Sequence, residues 1–105
     1  MVRVLVLYNP PEDAQAFERH YHEVHLPLAK TLPGLQQYTV SRNILPANES
    51  ASYYLVAELD WTDMAALQRA FQSPEGQAIG LDIANNLARL SPGIRTMIYE
   101  VEAVQ

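Results

Sequence analysis

The sequence predicts an α+β fold, in which one antiparallel four-stranded sheet carries its helices on a single face. Three observations point there. Apolar positions switch between a period of two and a period of 3.6, in the order strand, helix, strand, strand, broken helix, strand. Proline and glycine clusters punctuate the switches. The chain has 105 residues, 49 % of them apolar and 18 % charged, which suits one domain spanning residues 1–105 with a real core.

Val2 to Tyr8 is almost wholly β-branched or aliphatic and reads as a strand buried on most of both faces. Asn9-Pro10-Pro11 ends it. Asp13 is placed to cap a helix in which Ala14, Phe17, Tyr21, Val24 and Leu28 form an apolar stripe. Pro27 is expected to stop that helix, because its ring disfavours helical geometry at the residue before it. Leu35 to Leu45 alternates, with Tyr38, Val40, Arg42 and Ile44 on one side. Pro46 to Ser50 makes a turn. Ser52 to Trp61 is a third strand, with Tyr53, Leu55, Ala57, Leu59 and Trp61 on one face and Tyr54, Val56, Glu58 and Asp60 on the other. Thr62 is expected to cap a second helix built on Met64, Leu67, Ala70 and Phe71. Ser73-Pro74 restarts it, since serine caps and proline suits the first helical position. Ile79, Ile83, Leu87 and Leu90 continue to Ser91-Pro92-Gly93, and Ile94 to Val104 is the last strand.

Two such split strand–helix–strand units make a ferredoxin-like arrangement. Helices can cover only one face of that sheet, yet the first and third strands carry large apolar or aromatic residues on both. The uncovered face would exceed what monomers usually expose. Pairing two sheets face to face in a two-fold homodimer resolves the problem, and such a dimer can hold a cavity in each subunit.

Composition excludes several functions. The net charge is −5, with seven basic residues scattered and no basic stripe, which argues against nucleic-acid binding. No cysteine is present, so disulfides and thiolate-bound metals drop out. Phosphate-cradling glycine motifs are absent and there are four glycines in all, which removes dinucleotide and ATP chemistry. The opening apolar run reads as a strand and not as a signal peptide, and no run reaches the roughly 20 residues of a membrane span. A cytoplasmic protein is the expectation, with no membrane partner.

The chemistry-bearing residues cluster where the first helix hands over to the second strand: Tyr21-His22-Glu23-Val24-His25-Leu26-Pro27-Leu28, Pro33-Gly34-Leu35 and Tyr38-Thr-Val-Ser-Arg42. His25 lies beside the apolar stripe. It is either a helix-terminal histidine favoured by the dipole or a proton-transfer group. His20 and His22 point further toward solvent. His22 and His25 are three apart with no third ligand at matching spacing, so no metal site is expected. Tyr38 and Arg42 share a strand face and could line a polar-mouthed pocket, or serve a dimer interface and a cross-strand ion pair. Tyr8 and Trp61 suit either a cavity wall or an interface. Glu58, in mid-strand among apolar neighbours, is a candidate contact if it is buried.

At these residues the chain resembles the EthD family of the dimeric α/β-barrel superfamily. The resemblance runs through Val4-Leu-Val-Leu-Tyr8, Phe17, Tyr21 to Leu28, Lys30, Pro33-Gly34-Leu35 and Tyr38 to Arg42, then Ser73-Pro74-Glu75-Gly76 and the last strand. It implies a ferredoxin-like protomer whose sheet packs on a second copy. The wider superfamily includes cyclases, isomerases, cofactor-free monooxygenases and haem-handling enzymes. Isomerases and cyclases of this kind place a histidine and a tyrosine in the cavity, and His25 and Tyr38 are the matching positions.

Two functions follow as expectations. In the first, the protein is a cofactor-independent isomerase, cyclase or related enzyme for a small aromatic or lactone-like carbonyl compound. His25 moves the proton and Tyr38 holds the oxygen, while His22, Arg42, Tyr8, Trp61 and Glu58 contact the substrate. In the second, the same cavity holds a hydrophobic metabolite without transforming it. A haem variant of the first would take His25 or His22 as axial ligand.

Overall fold

In the computed structural model, which describes residues 1–48 and 52–105, the first seven-residue strand is β1, Val2–Tyr8. Its side chains alternate strictly: Val2, Val4, Val6 and Tyr8 are buried, and the residues between them are half-exposed. β1 pairs antiparallel with β3, Leu55–Trp61, and with β4, Arg95–Glu100. β2, Gln37–Ser41, pairs with β3, so the sheet order is β2-β3-β1-β4. This is the expected ferredoxin-like sheet. Among the described residues no helix is long and apolar enough to cross a membrane.

The helices cover one face only. Val4, Val6, Ala57, Leu59, Tyr38 and Val40 share that face by register. The other face carries Leu5, Leu7, Val56, Met97 and Tyr99, interrupted by an ionic cluster. Arg3 grips Asp60 with Nε at 2.8 Å and Nη2 at 3.1 Å, and Nη1 lies 3.9 Å from Glu58. The open face is therefore less apolar than alternation suggested, because the middle of β3 spends two positions on this cluster. Edge strand β4 is exposed on both faces.

β1 has the bounds the sequence suggested, and the other three strands are shorter. β2 stops at Ser41 because Asn43 turns the chain at φ 57°, a left-handed conformation that asparagine tolerates. Ile44 and Leu45 follow outside the sheet. β3 starts at Leu55, and Tyr54 joins the helix side instead, its ring 5.6 Å from that of Phe17. The end of the expected turn, residues 49 and 50, lies with residue 51 outside the described residues.

The first helical run departs most from expectation. α1, Ala14–His20, is capped by Asp13, whose carboxylate accepts from the Ala16 N–H. The run does not stop at Pro27. It widens into a π-helical segment, Tyr21–His25, and continues as α2, Leu26–Ala29. The Leu26 N–H reaches back to the Tyr21 carbonyl, and Pro27 then sits at the start of a fresh α-helical turn, where its missing N–H costs nothing. With more residues per turn, Phe17, Tyr21, His25 and Ala29 line up at spacings of four and are buried. Val24, expected in the stripe, is 44 % exposed.

The second run repeats the device. Asp63, not Thr62, caps α3, Met64–Gln72, by accepting from the Ala66 N–H. Ser73 caps α4, Pro74–Asp82. A second π segment, Ile83–Leu87, leads to the short α5, Ala88–Leu90. Ser91 then bonds the Asn9 carbonyl, and the Asn9 amide donates to the carbonyls of Pro92 and Gly93, tying this turn to the end of β1.

Candidate functional site

Between the sheet and the two helical runs lies a cavity of about 70 Å³. Val4, Val6, Ala57 and Leu59 form its floor, and Leu32, Phe71, Ile79 and Ile83 its walls. Five residues with polar groups interrupt this apolar lining: Tyr8, Tyr21, His25, Tyr38 and Thr96. At roughly 30 Å³ per water the volume holds about two waters, and it is smaller than the roughly 300 Å³ of an ordinary ligand pocket, so a larger occupant needs the lining to give way.

His25 is brought inside by the π-helical widening described above. Its Nδ1 lies 2.9 Å from Oδ2 of Asp82, a residue 57 positions away in the other helical run. Asp82 closes α4, immediately before the second π segment, so each partner sits at the edge of a locally widened helix. Such widenings recur at functional sites. The other carboxylate oxygen, Oδ1, is 2.6 Å from His20 Nε2 and accepts from the Asn86 amide at 2.9 Å.

The charges follow from these partners. Burial pushes the Asp82 carboxyl up, but the N–H donors of Asn86, His25 and His20 outweigh it and hold it below the ordinary carboxylate value. Burial pulls the His25 imidazole below its ordinary value, and the bond to Asp82 restores only part of that. Near neutrality Asp82 is thus ionised and His25 neutral. A carboxylate has no proton to give, so Nδ1 carries the hydrogen and Nε2 keeps a lone pair. Nε2 has no protein partner among the described residues. No described buried side-chain polar atom is sealed off without one, so Nε2 touches open space, and His25 lines the cavity.

The tyrosines surround it. The Tyr21 ring is 5.2 Å from the imidazole and 5.7 Å from the ring of Tyr8. The hydroxyls of Tyr21 and Tyr38 are 2.6 Å apart. One donates to the other, which leaves one O–H free for a further acceptor. Burial raises all three phenols above their ordinary value, so they are neutral donors throughout the physiological range. Tyr8, only 1 % exposed, also has no protein partner for its hydroxyl among the described residues.

Of the residues singled out in the sequence, His25, Tyr38 and Tyr8 meet in the cavity, and the other four do not. His22 is on the outer side of the helix, 3.1 Å from Arg42 and 3.2 Å from Glu18. Arg42 lies past the end of β2 and forks onto Glu18, which also accepts from Tyr54 at 2.6 Å. This ties α1 to the strand ends and keeps the guanidinium out of the cavity. Glu58 points to the open face of the sheet, beside Arg3 and Thr39. Trp61 is fully buried, but at the sheet end. Its indole donates to the Pro33 carbonyl at 2.9 Å and its ring lies against Gly34, at φ 74°, and Phe71. The Pro33-Gly34 motif is a seat for that indole. Asp82 and the inward role of His20 lie beyond the sequence reading, which places Tyr21 in the apolar stripe without a role at the site. A carboxylate at position 82, between Ile79 and Ile83 in an apolar stripe, was the available signal for the first. Among the described residues no group of three ligating side chains could hold a metal.

Comparisons with known proteins agree with this architecture. The model of the EthD domain matches residues 9–89. An uncharacterised 11.0 kDa protein of the thcB-thcC intergenic region in Rhodococcus erythropolis is 35 % identical over 102 residues, covering 97 % of this chain and 95 % of that protein. The crystal structure of an ethyl tert-butyl ether d (EthD) family protein from Bacillus halodurans is similar with a TM-score of 0.85 at 35 % identity, covering 97 % of this chain and 99 % of that one. A dimeric ferredoxin-like protein of unknown function from Jannaschia is 27 % identical, with a TM-score of 0.68 and coverage of 95 % and 98 %. The chain belongs to the EthD family.

Proposed function

We propose that the cavity binds a small, largely apolar carbonyl compound and that His25 moves a proton on the carbon beside its carbonyl, as in an isomerase or cyclase that needs no cofactor. The observation that carries this reading is one ionisable pair, His25 with Asp82, at the wall of an otherwise apolar cavity. Nε2 takes the proton. The positive charge that forms is offset by Asp82, already ionised and already bonded to the same ring. Oxygen charge develops as the carbon loses its proton, and the free O–H of the Tyr21–Tyr38 pair, with that of Tyr8, stabilises it. The apolar walls strengthen these bonds by excluding water.

Hydrogen exchange at carbon tests this directly. The protein is incubated in D2O with a panel of small enolisable ketones and lactones, and deuterium uptake is followed by proton NMR. Uptake at the carbon beside the carbonyl, lost in His25→Gln, is the expected result. A wild type inert toward the whole panel would sink the reading. Saturable binding without uptake would favour the second one, a carrier for a hydrophobic metabolite, which the small and mostly apolar lining also suits.

The protein acts as a two-fold homodimer in this reading. Leu5, Leu7, Val56, Met97 and Tyr99 need cover, and the similar protein from Jannaschia is described as dimeric.

A further inference from the structure

We propose that His20 and Asp82 form the route by which the buried His25 exchanges protons with bulk water, which makes His20 the solvent-side end of a proton relay. The inference rests on the proton-transfer reading of the cavity and adds to it how the site is reset. His25 is 5 % exposed, and among the described residues it is the one imidazole that lines the cavity. A base that takes a proton from substrate there must pass it on or give it back. The cavity lining offers no second carrier. On the far side of the ring, however, three groups stand in line: His25 Nδ1 to Asp82 Oδ2 at 2.9 Å, and Asp82 Oδ1 to His20 Nε2 at 2.6 Å. The His20 side chain is 20 % exposed, against 6 % for each of the other two, so the line climbs from the cavity to the surface.

The proton count closes as follows. Nε2 of His25 accepts the substrate proton, and the Nδ1 proton passes to Asp82 Oδ2. While Asp82 is an anion, His20 Nε2–H donates to Oδ1; once Asp82 holds the proton, exchange with water moves the His20 hydrogen to Nδ1, and the carboxyl turns and delivers its proton to the freed Nε2. His20 then releases its Nδ1 proton to water. One proton has left the substrate and one has reached solvent, Asp82 is ionised again, and His25 carries hydrogen on Nε2, ready to protonate the product. The return step draws a proton from solvent to Nδ1 along the same line. Asn86 donates to Oδ1 from the side while Asp82 is ionised and does not itself join the transfer. A site with this line can serve reactions that release or consume a proton, beyond those that return it to the same molecule.

The test uses protein labelled with nitrogen-15 in its histidines and reads the rate at which the His25 ring N–H exchanges with water. His20→Gln keeps an N–H donor facing Asp82 but cannot pass a proton. It should slow the exchange by about tenfold or more, with the melting temperature little changed. His20→Ala opens a solvent-facing gap, and added imidazole should restore its exchange. Exchange in His20→Gln as fast as in wild type would overturn the relay, and so would a slow His20→Ala protein that imidazole leaves unchanged. The two readings separate cleanly. If His20 governs ring exchange while no compound takes up deuterium at carbon, the relay stands and the catalytic reading falls. Deuterium uptake with ring exchange indifferent to His20 gives the reverse.

Discussion

His25 and Asp82 meet at 2.9 Å although 57 positions separate them, and each stands at the edge of a π-helical segment. The pair joins the two helical runs as well as serving the cavity. Its ionisation state is therefore tied to the stability of the fold.

Stability should rise with pH through the histidine range. His25 in the folded protein sits below its ordinary value of 6.5, so the unfolded chain binds the proton more readily. The stability is complete above about pH 6.5 and is lost as pH falls below it. Asp82, held below its ordinary value of 3.8, adds stability that is present above that value and lost on further acidification. Melting curves from about pH 8 to about pH 5 should show a falling midpoint in wild type and a flatter profile in His25→Gln. Equal slopes in the two proteins would contradict the neutral, buried assignment of His25.

The phenols give a spectroscopic check. Tyr8, Tyr21, Tyr38 and Tyr54 are all raised, the first three by burial first and Tyr54 first by its bond to Glu18. At a pH just above the ordinary phenol value of about 10, tyrosinate absorbance should jump when denaturant unfolds the chain. Tyr38→Phe removes the 2.6 Å hydroxyl pair and should cost roughly 1 kcal/mol of stability. A much larger loss would mean that the Tyr21 hydroxyl is left buried without a partner when Tyr38 loses its own.

Two glycines four residues apart in α4 should respond oppositely to alanine. A Cβ on Gly76 would strike the Ala70 carbonyl oxygen and come within 2.6 Å of Phe71 Cα, both backbone atoms. Gly76→Ala must push α3 and α4 apart, at a cost of roughly 1–3 kcal/mol or more. A Cβ on Gly80 meets nothing within 4 Å, so Gly80→Ala in the middle of α4 should stabilise by about 0.5–1 kcal/mol. Denaturant midpoints of the two variants measure both effects, and a stabilised Gly76→Ala would show the junction to be looser than described.

Assembly is open to a direct measurement. Sedimentation equilibrium should give twice the 11.8 kDa chain mass for wild type. Leu7→Asp, which puts a charge on the open sheet face, should shift it toward one chain. A wild type of single-chain mass would leave the open face to some other partner.

The order of elements was legible in the sequence because each strand and helix has its own apolar period. The alternating valines of β1, the Ser73-Pro74 helix start and the Ser91-Pro92-Gly93 stop all act over a few residues, and local rules read them. His25, Tyr38 and Tyr8 were legible as cavity candidates for the same reason, since each lies in or beside an apolar stripe. The π-helical widening was not legible. Pro27 argues for a helix end, and only the gain from burying Tyr21 and His25 together makes the run continue past it. The fate of Arg42 and Glu58 was equally out of reach, because both choose partners from other elements, Glu18 and Arg3, that the sequence does not bring near. Sequence by itself determined the sheet, the covered face and the residues able to carry chemistry. Tertiary structure decided which of them share a cavity, and it supplied Asp82, because a hydrogen bond from a neutral imidazole to a carboxylate across 57 positions has no local signature and forms only when two helical runs pack on one sheet.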